Sequence, residues 1–281
     1  MPADAASCLA AATAIAREAG ALLLDHRGRV AVEYKGEADL VTAADRASEA
    51  LITARLRQSF PDHAVVGEEG GGQPDPYGDC WYVDPLDGTT NFAHGLPLFA
   101  VSLALVRAGQ TIVGVVYNPV LQEMFTALRG DGAHLNGSPI AVSRQQDLAQ
   151  SLLATGFPSQ KRHKNPNIHF YQYFSLRTHG MRRLGAAALD LCYTACGRFE
   201  AFWEFNLKPW DVAAGKLIVE EAGGAVSDML GGPHRLDSPE ILASNRRLHP
   251  ELLQAFATLF AGHAPPAASP ADYRAARPPA S

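Results

Sequence analysis

Residues 81–92 read Trp-Tyr-Val-Asp-Pro-Leu-Asp-Gly-Thr-Thr-Asn-Phe, and they decide how the rest of the chain is interpreted. The first three residues are typical of a β-strand, whereas Gly88 and the threonines after it are typical of the start of a helix. Asp84 and Asp87 lie between these two elements, with Pro85 and Gly88 setting the backbone around them. We therefore expect both carboxylates to converge on one point.

Two carboxylates at the end of an apolar strand are an unusual choice, because an ionised carboxylate out of water costs several kcal/mol unless it is paired or metal-bound. The helix start offers free N–H groups and a positive dipole end, which suit an anion. Hard oxygen ligands beside such a site indicate Mg²⁺-dependent phosphate chemistry. An Asp-Pro…Asp-Gly segment is also typical of a solvated turn, so this stretch alone leaves both interpretations open.

The bulk composition is that of a soluble globular protein. The chain is 47% hydrophobic and 19% charged. Its 281 residues are enough for one large domain or two closely packed ones. A formal net charge of −5 and a pI near 6.0 argue against nucleic-acid binding as the main function.

The sequence shows neither the pattern of a signal peptide nor that of a membrane span. The first twelve residues lack a basic segment, and no run of 18 apolar residues occurs, so we expect neither a signal peptide nor a membrane span. The four cysteines form no C-x-x-C pair, which favours a reduced, cytoplasmic setting; they are Cys8, Cys80, Cys192 and Cys196.

Hydrophobic periodicity predicts both helices and strands. The predicted helices are residues 5–26, 42 to about 60, 186–196, 210–222 and 248–260. The second helix is predicted to bury Ala47, Ala50, Leu51 and Ala54. Residues 99–142 read as an antiparallel meander, and further strands are predicted at 151–155, 199–203, 225–227 and 241–243. The lack of regular βαβ alternation after residue 98 indicates a layered α+β fold.

Other acidic residues also stand at the ends of predicted elements. Glu68 follows a short strand, and Asp211 opens a helix whose predicted inward face is Ala214, Gly215 and Ile218. If these carboxylates share one cavity with Asp84, they repel one another unless cations lie between them. Asp45 allows a structural interpretation as well, because Thr42-Ala-Ala-Asp45 has the spacing of a helix capping box.

Three segments, in their order and spacing, resemble the inositol monophosphatase family of Mg²⁺-dependent, lithium-sensitive phosphatases. They are Gly67-Glu-Glu69, Asp84-Pro-Leu-Asp-Gly-Thr-Thr-Asn91 and Trp210-Asp-Val-Ala-Ala-Gly215. The likeness runs from about residue 5 to 260 and includes residues 39–45, 185–190 and 204–210. It implies an αβαβα layered sandwich over residues 1–262, with a metal-binding half at about 1–145 and a substrate half at about 146–262. Residues 263–281, rich in Pro and Ala, are expected to be a disordered tail.

The resemblance implies two to three Mg²⁺ ions in the active site. Glu68, Asp84 and the main-chain carbonyl of Leu86 would hold one ion. Asp84 would also bridge to a second ion, held with Asp87 and Asp211. A third, weaker ion is expected near Glu68, largely coordinated by water.

The same resemblance assigns catalytic roles. Glu68 counts among the catalytic residues, and Thr89 would orient the attacking water. Asp45 would accept the Thr89 hydroxyl proton, and the N–H groups of Gly88 and Thr89 would bind the phosphate.

On the substrate side, the implied residues are Asp87, Gly185, Ala186, Ala187, Glu204 and Asp211. The less favoured alternative for Glu204 is a charge at the end of a surface strand. Lys208 and Lys35 are candidate substrate or loop contacts, and each is also interpretable as an exposed lysine.

The implied reaction is hydrolysis of a small phosphomonoester, with myo-inositol 1-phosphate first among the candidates. Histidinol phosphate, fructose 1,6-bisphosphate and 3′-phosphoadenosine 5′-phosphate are alternatives, since related enzymes share the metal motifs. A regulatory protein on the same fold, binding a protein or RNA partner, is a further alternative. The resemblance also implies a homodimer acting on a phosphorylated polyol, with neither a membrane nor a nucleic acid as partner.

Overall fold

A computed structural model describes residues 4–28, 32–34, 40–75, 77–157 and 167–262. Lys35 and the Pro/Ala-rich segment 263–281 therefore lie outside the described residues, and so do the predictions made for them.

The described helices are α1 (Ala5–His26), α2 (Ala43–Ser59), α3 (Thr89–Ala93), α4 (Asn167–Ser175), α5 (Ala187–Ala195), α6 (Pro209–Glu221) and α7 (His249–Phe260). The helices predicted from periodicity all occur, and their ends differ from the prediction by at most one residue. Neither α4 nor the strand at Gly180–Arg182 that follows it was predicted from the sequence.

The described strands form three sheets. A two-stranded sheet pairs β1 (Val32–Tyr34) with β2 (Leu40–Thr42). A seven-stranded sheet follows chain order: β3 (Ala64–Gly67), β4 (Asp79–Asp87), β5 (Ala100–Arg107), β6 (Gln110–Asn118), β7 (Glu123–Leu128), β8 (Gly132–Leu135) and β9 (Ser138–Pro139). A five-stranded sheet has the order β11-β10-β12-β14-β13, from β10 (Leu152–Thr155), β11 (Gly180–Arg182), β12 (Ala201–Phe205), β13 (Ala225–Ser227) and β14 (Glu240–Ser244).

The helices and sheets stack in five layers. α1 and α2 cover one face of the seven-stranded sheet, while α5 and α6 fill the space between the two large sheets. α4 and α7 pack on the outer face of the five-stranded sheet, around aromatic side chains that include Phe174, Trp203 and Phe256. The predicted αβαβα sandwich is therefore confirmed.

The antiparallel strands alternate their side chains between two cores. On β6, Val113 and Val115 pack toward α1 and α2, whereas Val116 faces α5 and α6. Gly114 shares the face of Val116, and a Cβ atom there would lie 2.8 Å from the Ala214 carbonyl oxygen. The missing side chain thus lets α6 approach the sheet closely and fixes the position of the α6 start.

Helix α1 is apolar and long. Among the described residues it alone has the length and hydropathy to cross a membrane, but core helices of globular proteins meet the same criterion. One side of α1, including Ile15, Ala19 and Leu23, is buried in the core it shares with α2, β5 and β6. This packing is that of a core helix.

Helix α2 does not bury the face that its sequence predicts. Ala50 and Ala54 are exposed, whereas Asp45, Ser48 and Glu49 are buried. Of the predicted face, Leu51 packs against the core, whereas the prediction is wrong for Ala50 and Ala54. The inward positions hold Ile52 and Leu56 and, near the start of the helix, polar groups that have partners on neighbouring segments, as described below.

Strand β4 contains an irregularity that brings its two aspartates to one side. In a regular strand, residues three apart point to opposite faces. Asp84 pairs with Ser102 and Asp87 with Ala100, so three steps on β4 match two on β5. The extra residue is a β-bulge, and it turns Asp87 to the same face as Asp84.

Candidate active site

A cavity of about 170 Å³ lies where β4 ends and α3 begins. Its described lining contains five carboxylates drawn from distant parts of the chain: Glu68, Asp84, Asp87, Glu204 and Asp211. All five were predicted as site residues. The same lining includes Leu86, Gly88, Thr89, Gly185, Ala186 and Ala187, which completes most of the predicted set.

The parallel pairing of β3 and β4 places Glu68 beside Asp84. These two strands run in the same direction, so their carboxyl ends meet at one edge of the sheet. The Glu68 N–H donates to the Val83 carbonyl oxygen at 3.2 Å, which continues the pairing to the cavity.

Asp84 is the most enclosed of the five carboxylates, with 2% of its surface exposed. Its Oδ1 accepts a hydrogen bond from the Leu86 N–H at 3.0 Å. Burial raises the pKa of Asp84 well above the usual range, and the charges of Glu68, Asp87 and Asp211 raise it further. Such a cluster is stabilised by a cation that all these groups can approach.

Asp87 connects β4 of the seven-stranded sheet to the start of helix α5. Its carboxylate accepts hydrogen bonds from the Ala187 N–H at 3.2 Å and the Ala188 N–H at 2.8 Å. These are the first N–H groups of α5, which have no partner inside their own helix. Burial raises the pKa of Asp87 to about 7, although the α5 N–H groups oppose that rise. The bond to α5 brings residues 185–187 against the end of β4.

Asp211 lies in the first turn of α6 and accepts the Lys208 N–H at 2.6 Å. Burial raises the pKa of Asp211 to about 7, the Lys208 N–H lowers it, and the Asp87 charge raises it. The exposed side chain of Lys208 is not part of the described cavity lining, so its predicted role as a substrate contact gains no support from the geometry.

Thr89 and Asp45 meet at the edge of the cavity. The Thr89 Oγ1 lies 3.0 Å from Asp45 Oδ1 and 3.1 Å from the Leu86 carbonyl oxygen. A hydroxyl has one proton, so it donates to only one of the two at a time and keeps its lone pairs for another donor. The capping-box alternative for Asp45 involves Thr42, whose side chain lies outside the described residues.

Gly88 must be glycine for two reasons. Its φ of +87° lies in the left-handed region, which is costly for residues with a side chain. A Cβ atom there would also lie 2.9 Å from the Leu98 carbonyl oxygen and 3.2 Å from the Ala186 side chain. The sharp turn at Gly88 lets α3 start directly beside the carboxylates.

Glu204 faces the cavity from β12 and packs against Gly156, where any Cβ atom would overlap its carboxylate. Burial raises the pKa of Glu204 to about 8, with further contributions from the charges of Asp211 and Asp87. The alternative of a solvated charge on a surface strand is therefore not what the structure shows.

Sequence reasoning missed several residues of the site. Arg183 is the basic side chain among the described lining residues, and Phe157 is the aromatic one, packed on Tyr171 with ring centroids 5.8 Å apart. Asn91 was predicted only as a residue of the helix start. Its Nδ2 donates to the carbonyl oxygens of Leu98 and Leu184, each at 2.7 Å, and so ties α3 to the segment before Gly185.

Asp190 is a further buried carboxylate near the site. It lies on α5 with no exposed surface, and neither side-chain oxygen has a hydrogen-bond partner in the described structure. Burial raises the pKa of Asp190 well above the usual range, the charges of Glu204 and Asp87 add to this, and Arg183 opposes it. Asp190 ends the segment 185–190 that contributes to the family resemblance, but no role was predicted for it.

The donor set suits Mg²⁺, which prefers carboxylate, carbonyl and water oxygens. Among the residues that the structure describes, no three carboxylates, histidines or cysteines form a ready-made metal cluster. Mg²⁺ does not demand one, since it keeps several waters and is usually held by one or two carboxylates. The mutual effects of Glu68, Asp84, Asp87 and Asp211 on their pKa values therefore fit a hydrated cation between them.

Known proteins resemble this chain over nearly its whole length and not only at the site. A family model described as the inositol monophosphatase family matches residues 4–260. An inositol-1-monophosphatase from Synechocystis is 46% identical over 262 residues, covering 91% of each chain. The Nus factor SuhB of Pseudomonas aeruginosa is 45% identical over 260 residues, covering 89% of this chain and 94% of that protein.

The fold has solved counterparts. The crystal structure of extragenic suppressor protein suhB from Bartonella henselae matches with a TM-score of 0.85 at 39% identity. The match covers 89% of this chain and 98% of that one. The matches in sequence and the match in structure therefore point to the same family.

Replacing Asp190 with Asn should stabilise the metal-free protein, and more so at higher pH. Because the folded pKa is raised, the carboxyl lowers stability as pH rises above its unfolded pKa, and this loss is largest above the folded pKa. A carboxamide at this position is still an unsatisfied buried polar group, so the gain comes only from removing the charge, which costs more to bury than a neutral group; a gain of about 1 kcal/mol would shift Tm by about 2–4 °C in a protein of this size. Thermal unfolding in EDTA at pH 5 and pH 8 measures the gain.

The control for this prediction is Asp131→Asn, at an exposed aspartate on the turn before β8. It should leave Tm and its pH dependence unchanged. A loss of stability in Asp190→Asn at pH 8 would contradict the assignment of Asp190 as an unpartnered buried acid.

Proposed function

The chain belongs to the inositol monophosphatase family, and on this premise we propose that it hydrolyses a small phosphomonoester with Mg²⁺ as cofactor. The first candidate substrate is myo-inositol 1-phosphate. The observation that carries the proposal is the meeting of carboxylates from β3, β4 and α6 at the start of α3, with the Thr89–Asp45 pair beside them. We propose a cytoplasmic homodimer on the family resemblance alone.

The residues that would hold Mg²⁺ fall into two overlapping groups. Glu68, Asp84 and the Leu86 carbonyl would hold one ion, and Asp84, Asp87 and Asp211 a second. A third ion would sit near Glu68, mostly in water. Bound Mg²⁺ activates water for in-line attack and offsets charge on the departing oxygen.

The protein's own groups would orient the reactants. When the Thr89 hydroxyl donates to Asp45, its lone pairs are free to accept a hydrogen bond from the attacking water. The N–H groups of Gly88 and Thr89 lie at the start of α3, where a helix leaves such donors unpaired within itself. There they would bind phosphate oxygens and favour the charge that develops on them.

The other side of the cavity would select the alcohol part of the substrate. Glu204 faces this space, and the segment 185–187 borders it. Carboxylate oxygens accept hydrogen bonds from neighbouring hydroxyl groups, which supports a polyol over a nucleotide base. Histidinol phosphate, fructose 1,6-bisphosphate and 3′-phosphoadenosine 5′-phosphate remain the competing substrates, because they require the same metal groups.

A second candidate role is association with a protein or RNA partner. It is supported by the name of the Pseudomonas aeruginosa relative, Nus factor SuhB. The formal net charge of −5 favours a protein over RNA in this role. The two roles are compatible, because partner binding needs an outer surface and catalysis an inner cavity.

A panel of phosphomonoesters assayed with Mg²⁺ tests the substrate. Inositol 1-phosphate should give the highest kcat/KM, because its ring hydroxyls can be bound by Glu204 and residues 185–187. The comparison includes the three competing substrates, with phosphate release as the measurement. If histidinol phosphate is turned over fastest, it becomes the proposed substrate in place of inositol phosphate. If no compound of the panel is hydrolysed, phosphatase function is refuted.

Asp84→Asn should lower kcat at least about 100-fold, since loss of a group that only supports a metal ligand already costs about 10–100-fold. The metal-free variant should nevertheless unfold at the same or a higher temperature, because one of four mutually repelling charges is removed. Steady-state kinetics and thermal unfolding in EDTA measure the two effects. Substantial retained turnover would exclude a bridging role for Asp84.

Lithium should inhibit turnover at high Mg²⁺ concentration if the weaker, water-rich ion site near Glu68 is present. Initial rates are measured in LiCl and, as a control for ionic strength, in the same concentrations of NaCl. Equal rates in the two salts would show that this site differs from the one proposed.

A further inference from the structure

The first turns of α2 bury three polar side chains next to three segments of the site, although the same helix also buries Ile52 and Leu56 in the core. Asp45, Ser48 and Glu49 have spacing i, i+3 and i+4, so they lie on one side of the helix. Asp45 and Ser48 have no exposed surface, and Glu49 has 7%. Burying three such groups is costly unless each has a partner, and each does.

Two of these partners belong to elements already placed in the site. Asp45 accepts the hydroxyl proton of Thr89 at 3.0 Å, and the Ser48 hydroxyl donates to the Pro85 carbonyl oxygen at 2.9 Å. Pro85 is the residue between Asp84 and the Leu86 carbonyl. Helix α2 thus holds the α3 start and the bulge of β4 in fixed relation.

The third partner is the turn that carries Glu68. The Glu49 Oε2 accepts the Glu69 N–H at 2.7 Å, and its Oε1 accepts the Gly70 N–H. Hydrogen bonds to an ionised carboxylate are stronger than those between neutral groups. One side chain therefore satisfies two successive N–H groups directly after Glu68.

The glycines of this turn make the approach sterically feasible. A Cβ atom on Gly67 would lie 2.5 Å from the Glu49 Cδ, and one on Gly70 would lie 2.5 Å from its Oε1. Neither glycine is in the left-handed region, so the requirement is space for the carboxylate and not backbone freedom. The turn is closed by the Gly67 N–H, which donates to the Gly71 carbonyl oxygen at 2.9 Å.

We propose that Glu49 is a positioning residue for the metal site, which holds the 67–71 turn so that Glu68 faces Asp84. The inference rests on the proposed function, because it takes Glu68 as a ligand. Glu49 acts through backbone N–H groups and does not touch metal or substrate. If the Glu49 carboxylate is removed, Glu68 still lies beside β4, because its N–H donates to the Val83 carbonyl oxygen. The 67–71 turn, however, loses the contact that fixes its distance from α2.

Glu49→Gln tests the role with little change in size. A carboxamide has one acceptor oxygen, and its NH₂ group would face the second N–H of the turn. Calorimetric titration with Mn²⁺ alone should show an affinity about 10–100-fold weaker than wild type. The Mg²⁺ concentration for half-maximal turnover should rise by a similar factor, while kcat at saturating Mg²⁺ changes less.

The chain offers a matched control in Glu221. Its Oε1 accepts the Gly130 N–H and its Oε2 the Gly132 N–H, each at 3.0 Å, on the turn between β7 and β8. Glu221→Gln therefore makes the same change of acceptor in an equivalent pair of bonds away from the cavity. It should leave Mn²⁺ affinity and the Mg²⁺ dependence at wild-type values.

A second variant separates the inference from loss of folding. Gly70→Ala keeps the Glu49 charge but pushes the turn away from it, and it should weaken Mn²⁺ binding as Glu49→Gln does. In both variants hydrogen exchange at the Glu69 and Gly70 amides should be faster, while exchange in α6 is unchanged. If either variant binds Mn²⁺ as the Glu221→Gln control does, the positioning role of Glu49 is excluded.

The wild-type protein distinguishes this failure from failure of the proposed function. If wild type binds Mn²⁺ and hydrolyses a phosphomonoester, and the variants do so with the same metal affinity, only the inference about Glu49 is overturned. Wild type that neither binds Mn²⁺ nor turns over substrate overturns both.

Discussion

The repulsion among carboxylates at the end of β4 is the constraint on which the arrangement of the site depends. Each of three aspartates is held by backbone N–H groups: Asp84 by Leu86, Asp87 by α5, and Asp211 by Lys208. These donors lower the cost of burying negative charge, but the raised pKa values show that they do not remove it. The remaining field attracts cations, and a short helix start beside it can bind an anion.

The fold supplies this geometry through ordinary elements in unusual relations. A bulge turns Asp87 to the face of Asp84, parallel pairing brings Glu68 alongside, and the glycine at position 114 lets α6 come close enough for Asp211 to reach the cavity. Helix α2 gives up a fully apolar inner face for polar contacts to the site. Stability that better packing would provide is thus exchanged for fixed positions of functional groups.

The sequence was most informative where chemistry restricts residue choice. The aspartates at element ends, Gly88 and the order of the motifs predicted the carboxylates that line the cavity and the layered fold, because few other residues can occupy those positions. Hydropathy failed on α2, since it assigned Ala50 and Ala54 to the core. No role was predicted for Arg183, Phe157 or Asp190, because their importance arises from neighbours that only the folded chain brings near. Helix α4 was not predicted, since its nine residues are rich in aromatic and β-branched side chains, which favour strands.

The bond from Asp87 to the first turn of α5 has a consequence for biosynthesis. Residues up to the end of β9 can pair among themselves as they leave the ribosome, but the donors at positions 187 and 188 follow about a hundred residues later. Until then Asp87 lies at the open end of β4, solvated and without its N–H partners on α5, whereas Asp84 already has the Leu86 N–H as its partner. The active site is therefore among the last parts of the molecule to assemble, so a truncated nascent chain contains the acidic motifs without the pocket that gives them their properties.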